Sequence, residues 1–226
     1  MNWRELSRPG SPGVLLAQFD LDSPEQGRDA FCEAILSPDE IRRAGRLARA
    51  VDARRFLAGR ERTRRALGEF LGVAPERIVF GYGPHGKPEV LPPSAPVSFS
   101  LAHAGAHLLL AIARAGRVGV DLEARDAAPD AEALAERALA PSEQDELSAR
   151  PAFEKALYFL ARWTAKEALL KAAGVGLSRD PARFALERDA AGALVGRGEP
   201  AIAGLRAWPV DAGPGFVAAL ATESEE

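Results

Sequence analysis

Asp121 and Glu123 lie one residue apart in Arg117-Val118-Gly119-Val120-Asp121-Leu122-Glu123, a stretch in which apolar and other positions alternate as they do along a half-buried strand. Side chains two apart on a strand point the same way. Val118, Val120 and Leu122 are thus expected to face the core. Asp121 and Glu123 would project together from the other face beside Gly119, as a bare acidic shelf. Two carboxylates roughly 7 Å apart suit a hard divalent cation such as magnesium, which takes oxygen ligands and keeps positions open for phosphate. The same pair could equally be two surface acids at a solvated strand end.

A second acidic element is Trp163-Thr164-Ala165-Lys166-Glu167-Ala168-Leu169-Leu170-Lys171, where helical spacing gathers Trp163, Glu167 and Lys171 on one face. Glu167 four residues before Lys171 is the favourable order for a surface ion pair. If Glu167 instead meets the Asp121 and Glu123 shelf, three carboxylates converge, and their repulsion calls for a cation.

His103 follows a strand-like run and is read as a loop residue between Ala102 and Ala104, either exposed and idle or donating to a phosphate. Gly81 to Gly86 matches the letters of a dinucleotide-binding glycine loop. Pro84 and Pro88 break that segment, and no helix is expected to start there. What remains is a turn that presents Lys87 beside Pro88. His85 and His107 carry no further signal.

These residues sit in a chain of 226 residues with 47% hydrophobic content, enough for a substantial core. No apolar run approaches the roughly 20 residues that span a bilayer, and the start lacks a secretory pattern, so a cytoplasmic protein is expected. Cys32 is the single cysteine, which excludes an internal disulfide and a thiolate metal cluster. The net charge of −3 disfavours nucleic acid as the partner. Lysine is kept only at Lys87, Lys155, Lys166 and Lys171, whereas arginine is abundant. A compact ammonium suits a phosphate in a way that arginine's planar fork does not always replace.

Strands are expected at Val14 to Phe19, Ile78 to Phe80, Val97 to Leu101, Leu108 to Ala113, Arg117 to Glu123, Phe184 to Leu186 and Phe216 to Ala221. Ser37-Pro38-Asp39-Glu40 and Pro141-Ser142-Glu143 are helix starts. An arginine-rich helical region runs to Leu71. Further helices are expected from about Asp130 to Leu139 and from about Phe153 to Ala173. Without a regular βαβ rhythm, this mixture is α+β. At an offset of 103, Leu36 pairs with Leu139, Pro38 with Pro141, Glu40 with Glu143, Phe56 with Phe159, Leu57 with Leu160, Ala58 with Ala161 and Leu67 with Leu170. That predicts two similar subdomains, residues 1–116 and 117–226, with a ligand cleft between them.

Gly86-Lys87-Pro88, Phe99-Ser100-Leu101-Ala102-His103-Ala104-Gly105, Val118 to Glu123 and Trp163 to Leu177 together resemble the ordered motifs of the Sfp-type 4′-phosphopantetheinyl transferases. The resemblance implies two α+β subdomains related by a pseudo-two-fold, with coenzyme A in the cleft. It also implies transfer of phosphopantetheine to a serine of an apo acyl or peptidyl carrier protein, releasing adenosine 3′,5′-bisphosphate. By position, Asp121, Glu123 and Glu167 resemble the magnesium ligands, with Glu167 also the proton acceptor. His103 and Lys171 would contact the pyrophosphate. Lys87 and Arg55, with Arg43, would bind the 3′-phosphate or adenine end. Ala102 departs from the family, which often has serine before the motif histidine.

Two other functions could use these residues: a metal-dependent phosphohydrolase, and a non-catalytic module that binds coenzyme A or a carrier protein. A chain holding both halves is expected to work as a monomer, without membrane or nucleic acid.

Overall fold

Strands and helices follow one another twice in nearly the same order along the chain, with one extra strand in the first pass and one extra helix in the second. The computed structural model describes residues 4–6, 13–23, 33–92 and 96–223; Cys32 and the first three residues lie outside them. The first pass comprises β1 (Arg4–Leu6), β2 (Val14–Asp20), α1 (Pro38–Ala44), α2 (Ala50–Leu71), β3 (Phe80–Tyr82), β4 (Pro88–Val90), β5 (Ser98–Ala104) and β6 (His107–Ala113). The second comprises β7 (Val118–Ala124), α3 (Ala131–Ala138), α4 (Pro141–Ser148), α5 (Ala152–Ala173), β8 (Ala185–Arg188), β9 (Leu194–Arg197), β10 (Leu205–Val210) and β11 (Phe216–Glu223).

One antiparallel sheet has the order β1-β2-β6-β5 and the other β7-β11-β10-β9-β8. Within them, β2-β6-β5 and β7-β11-β10 are the same arrangement. In each, a leading strand is followed by helices, and the last strand of a closing hairpin inserts beside it. This is the α+β pseudo-two-fold expected from the sequence.

Alternation along β6 divides its side chains between two cores. Leu110 and Ile112 pack with Ala66 and Leu67 of α2. Leu109, Ala111 and Ala113 pack with Val118, Val120 and Leu122 of β7. On the second sheet, Ala207, Ala219 and Ala221 meet Ala165, Ala168 and Ala172 of α5. The layers are therefore helix, sheet, sheet, helix, and the two halves meet sheet to sheet.

Both helical passes open with a proline at the first turn and a glutamate that turns back on the cap. Ser37 N donates to Glu40 Oε2 at 2.8 Å, and Ala140 N to Glu143 Oε2 at 2.9 Å. Each glutamate is buried and paired with a cation of the long helix, Glu40 with Arg64 (2.9 Å) and Glu143 with Lys166 (2.6 Å). The long helices have 22 residues each, 50–71 and 152–173, and both end on a glycine with positive φ. Their ends and their paired cations correspond at an offset of 102. The sequence identities at 103 hold for α1 and α4 but run one residue out of step within α2 and α5. The start of α2 lies 12 residues after the start of α1, and the start of α5 11 after that of α4; this extra residue in the first half moves the offset from 103 to 102.

The hairpin β3–β4 replaces the unbroken turn expected over residues 81–88, since Tyr82 and Pro88 pair at its base. β4, β9 and β10 were not legible in the sequence, and β10 contains Pro209, normally a signal against a strand. Among the described residues, no helix is long and apolar enough to cross a membrane.

Candidate active site

Gly119 decides how the acidic strand meets the second half's long helix. A Cβ added there would lie 2.1 Å from the Ala168 carbonyl oxygen and 2.4 Å from the Ala172 amide nitrogen, so strand and helix touch backbone to backbone. The expected bare shelf is therefore covered. α5 lies on the face that carries Gly119, Asp121 and Glu123, and Asp121 and Glu167 are only 5% and 8% exposed.

Covering this face brings the acids and Lys171 together. Lys171 Nζ donates to Asp121 Oδ1 at 2.6 Å, and Trp163 Nε1 donates to Glu123 Oε1 at 3.1 Å. Burial, then the charges of Asp121 and Glu123, raise the Glu167 pKa to about 7 against the pull of Lys171. Burial likewise lifts Asp121, opposed by Lys171. It lifts Glu123 too, opposed chiefly by the Trp163 hydrogen bond.

Asp121 Oδ2 and Glu167 Oε1 are buried without a hydrogen-bond partner. An orphaned carboxylate oxygen is costly, and two beside a third acid fit a hard cation that would take both. The set is not a closed cage: among the described residues no three His, Cys, Asp or Glu side chains are already arranged around one ion position. Lys171 and the Trp163 indole hold one oxygen each of Asp121 and Glu123, and the Lys171 ammonium partly supplies the positive charge.

Next to this cluster a cavity of about 210 Å³ opens at the seam, lined from the first half by His85, Lys87, Ser100 and Leu101 and from the second by Lys171, Gly174 and Gly176. Lys171 thus faces both the cavity and Asp121. Ser100, unremarked in the sequence beyond its place in a motif, accepts a hydrogen bond from Val120 N at 3.1 Å and joins the halves. A serine on an edge strand next to another unpaired edge was the available signal.

His103 lies within β5, not in a loop, and its side chain is exposed. Its Nε2 would be 3.5 Å from a Cβ on Gly59, so the small residue that makes room for the ring comes from α2. The surrounding protein, then Lys171 and Arg60, hold the imidazole pKa below its ordinary value. Arg60 is a buried cation whose importance the sequence did not reveal. It donates to Tyr82 Oη at 2.7 Å and lies over the rings of Phe56 and Phe80.

The other expected cations are already engaged. Arg55 is held by Asp22 through Nε at 3.0 Å. Arg43 is exposed and lies over the Phe56 ring, 5.2 Å from its centroid. Neither lines the cavity. Lys87 does, but its ammonium donates to Val118 O at 3.0 Å and Ala172 O at 3.2 Å. Lys166 is fully buried, bound to Glu143 and to the carbonyls of Pro181 and Phe184 at 2.7 Å each.

A family model described as the 4′-phosphopantetheinyl transferase superfamily matches residues 117–221. The chain is similar to the 4′-phosphopantetheinyl transferase HetI of Nostoc sp., 37% identical over 75% of this chain and 72% of that protein. It is also similar to a 4′-phosphopantetheinyl transferase of Bacillus subtilis, 30% identical over 70% of this chain and 69% of that protein. Among solved structures, the holo-[acyl-carrier-protein] synthase of Neisseria meningitidis aligns with 48% of this chain and 98% of its own, at 21% identity and a TM-score of 0.39.

Proposed function

The chain belongs to the 4′-phosphopantetheinyl transferase superfamily, and from that premise we propose that it moves the phosphopantetheine arm of coenzyme A onto a serine of an acyl or peptidyl carrier protein. The serine oxygen forms a bond to the β-phosphorus. The bond from that phosphorus to the bridging oxygen breaks, and adenosine 3′,5′-bisphosphate leaves with the electron pair.

The observation that carries this reading is the seam cluster, in which Asp121, Glu123 and Glu167 gather about Lys171, the member that also lines a cavity walled by both halves. Asp121, Glu123 and Glu167 would hold a magnesium ion. When bound, the ion supplies positive charge to the diphosphate oxygens, where negative charge grows as the leaving group departs. Lys171 is placed to orient the diphosphate, since its ammonium faces the cavity while anchored on Asp121. His103 is the second donor, on the first half's side of the seam. Glu167 receives the serine proton, and a carboxylate with a pKa near neutrality suits that exchange. Arg43 and Arg55 are assigned to the nucleotide end, which requires Arg55 to give up Asp22.

Both walls of the cavity come from one chain, so a monomer in the cytoplasm is the proposed working form, divided near Gly116 into halves 1–116 and 117–226. The test is incubation with coenzyme A, magnesium and apo carrier proteins, read by intact mass. The carrier should gain the mass of one phosphopantetheine group, with adenosine 3′,5′-bisphosphate released in equal amount. Release of phosphate with no change in the carrier would overturn the reading.

A further inference from the structure

Lys87 comes from the first half and ends in the second. Its Nζ reaches Val118 O, 31 residues away in sequence, and Ala172 O, 85 residues away. Both acceptors belong to classes that secondary structure leaves without a partner. β7 is the edge strand of its sheet, so the groups on its outer side have no neighbouring strand. Lys87 takes the carbonyl at Val118, and Ser100 takes the amide at Val120. Ala172 lies in the last turn of α5, where carbonyls have no intrahelical donor and a cation is favoured.

The lysine stem is held as firmly as its head. Lys87 O accepts from Gly83 N at 2.9 Å, closing the hairpin turn, and Lys87 Cδ lies 3.6 Å from where a Cβ on Gly174 would stand. His85 and Lys87 from the first half and Gly174 and Gly176 from the second line the cavity where the halves touch, a Cβ on Gly176 lying 3.9 Å from His85 O.

We propose that Lys87 is a positioning residue that pins the β3–β4 hairpin to β7 and α5 and so fixes the width of the cavity, its ammonium spent on protein carbonyls and not offered to a ligand phosphate. This rests on the transferase reading for its kinetic consequence alone; the pin itself does not. Burial, which lowers the Lys87 pKa to about 8, agrees with an ammonium enclosed by protein.

The experiment compares the full chain with Lys87→Met, Lys87→Gln and Lys87→Arg, using coenzyme A and 3′-dephospho-coenzyme A as alternative donors. A pin predicts that Lys87→Met raises KM for both donors by the same factor, about tenfold, with kcat nearly unchanged. Lys87→Arg, which keeps donors for both carbonyls, should recover much of the loss. A rise in KM confined to coenzyme A would overturn the proposal, because it would place the ammonium on the 3′-phosphate. Amide hydrogen exchange without donor supplies the second reading. Residues 83–88 and 174–176 should exchange faster in Lys87→Met, and unchanged protection there would also overturn the pin. Lys87→Gln, which keeps neutral N–H donors on a shorter side chain, should fall between and serves if Lys87→Met does not fold. If the wild-type protein transfers nothing, exchange still decides the pin, and only the transferase reading fails.

Discussion

Gly119 and Ala168 stand in backbone contact across the β7–α5 interface, with no room for even a methyl group between them. Gly119→Ala must therefore push the helix off the strand. Overpacking of this kind costs about 1–3 kcal/mol, and contact with backbone on both sides places this case at the upper end. Urea denaturation should show the lower midpoint, and transfer activity should fall with it, because the same contact sets Glu167 against Asp121.

Glu167→Gln should abolish transfer yet leave the protein at least as stable as the wild type at pH 8. The folded-state pKa of about 7 exceeds the ordinary value of 4.5. Between these values the unfolded chain loses its proton while the folded protein keeps it, so stability falls as pH rises. By pH 8 the loss approaches about 3 kcal/mol. Chemical denaturation at pH 4 and pH 8 checks this: the wild type should lose stability relative to Glu167→Gln over that interval. A Glu167→Gln protein less stable than the wild type at pH 8 would contradict it.

Magnesium should stabilise the wild-type chain by binding the folded state alone, by about 2.7 kcal/mol at a hundredfold excess over Kd. Asp121→Asn and Glu167→Gln should lose most of that increment. Scanning calorimetry with and without magnesium chloride, and with calcium as a larger hard cation, provides the measurement.

Lys171→Met should destabilise through Asp121, whose carboxylate would be left buried beside two other acids. Breaking a buried pair costs about 3–5 kcal/mol. Because the Lys171 side chain is 29% exposed, roughly 2 kcal/mol is expected here. Adding Asp121→Asn should recover most of that loss, so the double-mutant cycle should show strong coupling.

The sequence made the acids legible because each set is local: Asp121 and Glu123 share a strand face, and Trp163, Glu167 and Lys171 share a helix face. Which surface covered them was not legible, since alternation assigns a side and says nothing of what packs there. Gly119 carried that information and was read as empty space, although a glycine inside a strand also marks close backbone approach. The resemblance assigns Lys87 to the nucleotide end, whereas the carbonyls of Val118 and Ala172 that hold it have counterparts at every position and are invisible as a pattern. Alanine and glycine around His103 weaken its strand signal and read as a loop; β6 supplies the pairing that keeps it in a sheet. The duplication was readable in the helix starts, where proline and glutamate recur. It slipped by one residue in the long helices, where alanine and leucine offer many accidental matches.

At the offset of 102, Arg65 of α2 occupies the place that Glu167 has in α5. A fold that repeats itself therefore has unlike charges at equivalent stations, with the signs reversed at Glu69 and Lys171, the next pair along the same helices. Such a molecule has a polarity that its architecture lacks.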